Sequence, residues 1–220
     1  MQAIFETLFD IVYLVGVITL GVLMLRGSRG RRQIRLYGAM AVTLGCGDAF
    51  HLVPRAVALC TTGLEQYTAA LGIGKLVTSI TMTAFYVLLY YVWRSRYEVK
   101  GRRELTVAVW GLALSRAALC LMPQNAWTSA HPPLSWGIWR NIPFTLLGAL
   151  VVVLFYRGAK EKRDGDFRWL WLTVVVSFAC YIPVVLFADS VPAVGMLMIP
   201  KTCAYVCTVW IGYRAMKRAQ

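Results

Sequence analysis

The chain has 220 residues, of which 59% are hydrophobic and 15% are charged, and its formal net charge at pH 7 is +13. Since soluble domains contain about 25% charged residues, this composition excludes a disordered chain and a small secreted disulfide scaffold. A positive charge of this size indicates nucleic-acid binding only when the basic residues share one soluble face, so their placement decides its meaning.

Long apolar runs occupy most of the sequence. A helix of ~20 apolar residues crosses the ~30 Å hydrocarbon core of a bilayer, because each residue adds ~1.5 Å. Seven such runs follow one another, at residues 4–25, 36–58, 66–93, 105–122, 134–156, 169–188 and 191–213. We therefore predict an all-α bundle of seven transmembrane helices that forms a single integral membrane domain over residues 1–220.

Basic residues follow every second run. Eighteen of the 23 lysines and arginines lie in residues 26–35, 94–103, 157–168 and 214–218, whereas segments 59–65, 123–133 and 189–191 contain none. The positive-inside rule then predicts an N-terminus outside the cell and a C-terminus in the cytoplasm. The net charge reflects this topology, and we predict a multi-pass protein of the cell membrane that contacts the lipid bilayer and binds no nucleic acid.

The two halves of the chain share a pattern. Residues 26–29 (RGSR) after the first run match residues 157–160 (RGAK) after the fifth, and a lysine lies in the outer half of both the third and the seventh run. We predict a parallel repeat of residues 4–95 and 134–215, joined by a linker helix at 105–122. This 3+1+3 plan resembles the SWEET, PQ-loop and PnuC-type transporters and, more distantly, the opsins. The resemblance implies a substrate site near the membrane midplane between the halves.

The second run contains the densest set of polar side chains. Asp48, His51 and Arg55 have the spacing i, i+3, i+7, which places them on one face of a helix. A charged group in hydrocarbon costs at least ~2.5 kcal/mol and therefore indicates a functional site. Asp48 is expected near mid-membrane, within reach of His51 or Lys201, and we predict that Asp48 and His51 form a proton-coupling pair.

Polar side chains of the other runs complete the predicted ligand-binding set. These residues are Lys75, Arg116, Trp136, Arg140, Asn141, Tyr181 and Lys201. With Arg55 they provide five cations from five helices, all in the outer half, so packing is expected to gather them around one outward cavity. Trp136 and Arg140 have the spacing i, i+4 and are predicted to stack on each other. Only Asp10 and Asp48 are acids expected at similar depth, which leaves an excess of positive charge.

A transporter or ligand-binding protein for a small anionic or phosphorylated molecule, or for a lipid headgroup, is the first functional hypothesis. A membrane-embedded enzyme is an alternative, in which Asp48, His51 and an arginine act near the outer leaflet, with Cys46 or Cys120 as a thiol nucleophile. The opsin resemblance implies a third function, with retinal bound to Lys201 as a Schiff base.

A scaffold without a ligand is the fourth hypothesis. The intramembrane cations would then be paired with acids, and small residues would serve helix packing, namely Gly45, Gly47, Gly72 and Gly74. A homo-oligomer is compatible with each hypothesis. No spacing of cysteines and histidines resembles a metal site.

Overall fold

The structure is a computed structural model that describes residues 2–61, 63–188 and 190–218, and its regular secondary structure in these ranges is entirely helical. The α-helices are α1 (Gln2–Arg26), α2 (Arg32–Cys60), α3 (Thr68–Arg96), α4 (Arg103–Leu121), α5 (Leu134–Glu161), α6 (Leu170–Phe187) and α7 (Met198–Arg218). The described residues thus include seven helices that are long and apolar enough to cross a membrane. The predicted all-α class and the number of spans are confirmed, as expected for an integral membrane protein.

Several helices extend beyond the apolar runs into adjacent basic residues. α2 begins at Arg32 rather than at residue 36, and α5 continues to Glu161 rather than ending at residue 156. Long basic side chains can lie along apolar surface with their charges in water, so a helix continues into the interface. In contrast, α7 begins at Met198 rather than at residue 191, because Pro192–Leu197 forms a 3₁₀ segment ahead of it.

The helices pack as a ring in chain order. Each contacts the next along the chain, α1 closes the ring against α7, and α3 also contacts α5. We call one end the basic end, where connections 27–31, 97–102 and 162–169 lie beside the last turn of α7. The opposite end, with residues 63–67, 122–133 and 190–197 of the other connections, is the far end.

Aromatic side chains fill the centre of the ring, and their polar atoms find partners on neighbouring helices. The Tyr37 hydroxyl donates to the Thr208 carbonyl oxygen at 2.6 Å, which joins α2 to α7. The Trp93 indole Nε1 donates to the Leu154 carbonyl oxygen at 2.9 Å, which joins α3 to α5. Since apolar burial provides little driving force between helices in lipid, such hydrogen bonds and close packing hold the bundle together.

Glycines allow the closest helix contacts, as the sequence predicts. A side chain on Gly47 would overlap Thr81, and one on Gly74 would overlap the backbone carbonyl of Phe50, so these positions set the spacing of α2 and α3. A Cβ atom at Gly45 would lie 2.5 Å from Ile18 on α1. The packing role of these glycines is confirmed.

An ion-pair network joins three segments at the basic end. Arg96 on α3 donates from Nε to Asp164 Oδ2 at 2.8 Å and from Nη2 to Asp164 Oδ1 at 2.9 Å. Asp166 lies 3.8 Å from Arg96 Nη2 and pairs with Arg218 on α7. The Arg96 guanidinium also lies 4.7 Å from the centre of the Phe167 ring. The α5–α6 connection is thereby bound to the ends of α3 and α7.

Replacing Asp164 with alanine is expected to lower the free energy of unfolding by about 2 kcal/mol, since hydrogen bonds to a charged partner are lost. Burial alone raises the pKa of the Asp164 carboxyl. The hydrogen bonds and charge of Arg96 and two backbone N–H groups outweigh burial and hold this pKa below its ordinary value. This contribution is therefore present above about pH 4 and is lost as the pH falls below it.

Thermal unfolding in detergent, followed by tryptophan fluorescence from pH 7 to pH 3, measures this effect. The melting temperature of Asp164→Ala should fall less steeply below pH 5 than that of the wild type. The exposed neighbour Glu161 provides the control Glu161→Gln, which should behave as the wild type does. If the melting temperatures of Asp164→Ala and the wild type fall in parallel with pH, the Asp164 carboxylate does not stabilise the fold as predicted.

Candidate functional site

The polar residues predicted from the sequence form two groups towards the far end of the bundle. The first, called the α1–α2 group, consists of Glu6, Asp10, His51, Arg55 and Lys75. The second, called the α4–α7 group, consists of Arg116, Arg140, Asn141, Tyr181 and Lys201. Asp48 lies between the two, where it interacts electrostatically with Asp10 on one side and with Lys201 on the other.

Opposite charges balance in the α1–α2 group. Arg55 Nη2 lies 2.9 Å from Glu6 Oε2, and Asp10 also interacts with Arg55. The His51 Nδ1 donates to the Leu71 carbonyl oxygen at 3.3 Å. Lys75 lies on the exposed face of α3 and interacts electrostatically with His51. The scaffold hypothesis therefore describes part of this group, since Arg55 has an acid partner.

Asp48 takes its partners from α1 and α7. The Tyr13 hydroxyl donates to Asp48 Oδ2 at 2.6 Å, and the Asp48 charge interacts with that of Lys201 without a direct ion pair. His51, three residues along the same helix, is instead hydrogen-bonded to α3. In the described structure Asp48 and His51 thus have separate partners. The sequence predicts His51 or Lys201 as the partner of Asp48, and Lys201 is the residue that faces it.

Lys201 lies among aromatic rings near the start of α7. Its Nζ is 4.9 Å from the centre of the Tyr181 ring and 5.4 Å from that of Tyr205. Its charge interacts favourably with Asp48 and unfavourably with Arg116. Two aromatic faces and one carboxylate thus stabilise the ammonium group, whereas a second cation lies close to it.

Arg116 is the most unusual residue of the bundle. It is 2% exposed, and its guanidinium carbon lies 3.3 Å from the centre of the Phe144 ring. Its Nε and Nη1 atoms have no hydrogen-bond partner among the described residues. The groups that interact with its charge most favourably are Tyr181, Cys120 and Tyr205, none of which is a carboxylate. A buried guanidinium is thus left with one aromatic face and two unused donors.

Arg140 is held by the 122–133 connection. Its Nη1 donates to Asn125 Oδ1 at 2.8 Å, and its guanidinium carbon lies 4.2 Å from the centre of the Trp127 ring. The predicted stack of Arg140 on Trp136 is wrong, because the loop places Trp127 over the guanidinium instead. Asn125 is itself fixed by Nδ2 hydrogen bonds to the carbonyl oxygens of Leu119 and Met122, at 2.6 and 2.8 Å.

The remaining polar residues connect the α4–α7 group to its surroundings. The Tyr181 hydroxyl donates to Asn141 Oδ1 at 3.0 Å, and Asn141 Nδ2 donates to the Gly137 carbonyl oxygen at 2.8 Å. Tyr181 also interacts electrostatically with both Arg116 and Arg140. The hydroxyl group of Tyr181 therefore joins α6 to α5, in the neighbourhood of Arg116 on α4.

Sequence reasoning missed several residues of the site. Tyr13, Asn125, Trp127, Phe144 and Tyr205 supply the hydrogen bonds and ring faces described above. Tyr13 could have been found from its place one helical turn after Asp10. Trp127 lies outside the apolar runs, so only the folded connection shows where its ring lies.

A comparison with protein-family models, curated proteins and solved structures finds no match for this chain. The site must therefore be interpreted from its own geometry. An open pocket of about 620 Å³ lies at the basic end, where Arg96, Asp164 and Arg218 line it. The outward cavity that the sequence predicts around the five cations stays a prediction.

The arrangement of charges can bind an anion. Arg116 interacts electrostatically with Lys201, Arg140 shares the neighbours Tyr181 and Cys120 with Arg116, and Asp48 is a carboxylate that interacts with Lys201. Burying a charge costs several kcal/mol unless a counter-charge is close. An anionic ligand would supply that counter-charge and would accept hydrogen bonds from the free Arg116 donors.

Proposed function

We propose that this chain is a multi-pass protein of the cell membrane that binds a small anion through Arg116, Arg140 and Lys201, and carries it across the bilayer. The observation that carries the proposal is Arg116, which is 2% exposed and has two donor nitrogens without a partner among the described residues. A buried donor without a partner costs about 1–3 kcal/mol, and more when it is charged. A ligand that accepts those hydrogen bonds would offset this cost.

The proposed topology has the N-terminus outside, so the far end faces the exterior and the basic end the cytoplasm. It also includes the parallel repeat of residues 4–95 and 134–215 with α4 as the linker. The anion site then draws Asp48 from the first half, Lys201 from the second and Arg116 from the linker, as an interface between repeats would.

A membrane-impermeant maleimide applied to intact cells tests the topology. Cys60 is exposed at the far end of α2, and we expect it to be labelled without permeabilisation and Cys60→Ala not to be. The matched position at the basic end is Gly165, which is exposed and has open space where a side chain would lie. Gly165→Cys in the Cys60→Ala background should be labelled only after permeabilisation, and the reverse pattern would invert the topology.

Thermal unfolding of the purified protein in detergent with inorganic phosphate tests anion binding. A ligand at ten times its dissociation constant stabilises by about 1.4 kcal/mol, which corresponds to about 4 °C in a protein of this size. We expect this shift in the wild type and not in Arg140→Gln or Lys201→Gln. Arg55→Gln is the matched control because Arg55 is paired with Glu6, and it should keep the shift. Equal shifts in all four proteins would remove these residues from the site.

A second candidate function has one specific contact in its favour. Lys201 faces Asp48, and a lysine of the seventh helix beside a carboxylate is the arrangement that a retinal Schiff base requires in the opsin hypothesis. Incubation with retinal discriminates between the candidates. A visible absorption band that is absent in Lys201→Ala would support the opsin-like function, whereas the anion-binding proposal expects no band.

A further inference from the structure

Tyr86 on α3 is buried and, like Arg116, has a polar atom without a partner. The side chain is 0% exposed, and its hydroxyl group forms no hydrogen bond within the described part of the chain. Ser177 and Tyr205 lie nearby, but neither hydroxyl has the geometry of a hydrogen bond to it. Buried hydroxyl groups normally have a partner, because burial without one costs free energy. The packing of the bundle does not satisfy this hydroxyl.

Tyr86 and Arg116 lie at similar heights in the bundle. α3 ends at Arg96 and α4 begins at Arg103, both at the basic end, and the two helices contact each other. Tyr86 precedes Arg96 by ten residues and Arg116 follows Arg103 by thirteen, which at ~1.5 Å per residue places both about 15–20 Å from the basic end. Helical side chains lean towards the N-terminus of their own helix. In these antiparallel helices, Tyr86 and Arg116 therefore lean towards each other's level.

The Phe144 ring on α5 contacts both residues. The Arg116 guanidinium carbon lies 3.3 Å from the centre of this ring, and the centre of the Tyr86 ring lies 5.1 Å from it. The Tyr181 ring lies 6.0 Å from the same ring, and the Lys201 Nζ lies 4.9 Å from the centre of the Tyr181 ring. Successive ring contacts thus connect Tyr86 with two cations of the α4–α7 group.

Resting on the anion site proposed above, we propose that Tyr86 is a further ligand-binding residue, whose hydroxyl donates to the anion that Arg116 binds, and that this anion is a small oxyanion. The free donors are the Tyr86 hydroxyl on α3 and the Arg116 Nε and Nη1 on α4. An oxyanion such as phosphate presents several acceptor oxygens, whereas a halide presents one atom. Three separate donors on two helices therefore suit an oxyanion.

Tyr86→Phe tests the inference, because it removes the hydroxyl and leaves the ring in place. In phosphate-free detergent buffer we expect its melting temperature to equal or exceed that of the wild type, since a buried hydroxyl without a partner is lost. The phosphate concentration that gives half-maximal thermal stabilisation should rise about tenfold, since a hydrogen bond to a charged group is lost. A purely structural hydroxyl would lower the melting temperature and leave the phosphate response unchanged.

Tyr90→Phe is the matched control, one helical turn further along α3. Tyr90 is as buried as Tyr86, but its hydroxyl forms a hydrogen bond with Thr106 Oγ1 at 2.8 Å. Loss of this bond should lower the melting temperature of Tyr90→Phe. Its half-maximal phosphate concentration should stay that of the wild type.

The titrations separate the inference from the proposed function. If phosphate stabilises the wild type and Tyr86→Phe at the same concentrations, Tyr86 is not a binding residue, and the anion site itself stands. If phosphate does not stabilise the wild type, both proposals fail. Sodium chloride at the same ionic strength should stabilise the wild type less than phosphate does, and equal stabilisation by the two salts would overturn the oxyanion class.

Discussion

Replacing Arg116 with methionine is expected to raise the melting temperature of the ligand-free protein and to abolish its response to phosphate. Methionine has a similar length and fills the same space against Phe144. A buried ion costs several kcal/mol, and its replacement by a packed apolar side chain stabilises by about 1–4 kcal/mol in comparable cases. The contact with the Phe144 ring, at 3.3 Å, offsets about 2 kcal/mol of this cost. We expect a net rise of several degrees in differential scanning fluorimetry.

The matched control is Arg55→Met at the same end of the bundle. Arg55 is paired with Glu6 at 2.9 Å. Because one favourable contact of the Glu6 carboxylate is lost, the melting temperature of Arg55→Met should fall or stay constant while its response to phosphate is retained. If Arg116→Met is less stable than the wild type and still responds to phosphate, Arg116 is a structural residue and the proposed site is wrong.

Replacing Gly72 with valine is expected to damage both the packing of the bundle and the anion site. A side chain at Gly72 on α3 would overlap the backbone carbonyl oxygen of Trp127, which cannot move as a flexible side chain would. Forcing extra atoms into such a contact costs about 1–3 kcal/mol. The Trp127 ring lies over Arg140, so displacement of this connection should also weaken phosphate binding severalfold.

Gly111→Ala is the control for this substitution. Gly111 is a helical glycine of α4 with open space where a side chain would lie, and alanine is favoured over glycine inside a helix. Its melting temperature and its response to phosphate should equal or exceed those of the wild type. Unchanged phosphate affinity in Gly72→Val, together with lowered stability, would show that the 122–133 connection does not position Arg140.

The number and class of the helices could be predicted because a membrane span has a fixed length and composition. The runs need only ~20 apolar residues to be recognised, and all seven are helices in the structure. Their ends were less predictable. α2 and α5 continue into basic residues beyond the apolar runs, and the 3₁₀ segment Pro192–Leu197 precedes the start of α7. Hydropathy does not record either effect, because it measures composition rather than hydrogen bonding.

The candidate site was predictable as a set of residues but not as a set of contacts. Helical spacing places Asp48 and His51 on one face. Asp48 is nevertheless hydrogen-bonded to Tyr13 on α1, and His51 to Leu71 on α3. The same spacing pairs Arg140 with Trp136, whereas Trp127 from a connection covers it. A residue from another element becomes the partner, in place of one on the same helix, where its position allows a better contact.

The sequence by itself determined the seven helices, the alternation of basic connections with connections that lack lysine and arginine, and the presence of cations within the apolar runs. These properties depend on composition and periodicity, which are local. Only the tertiary structure decided which cations have acid partners. Arg55 meets Glu6 across the α1–α2 contact, whereas Arg116 is enclosed by rings and has two donors that no described residue accepts from. Charge balance is a property of neighbours in space, and the order of residues along the chain does not contain it.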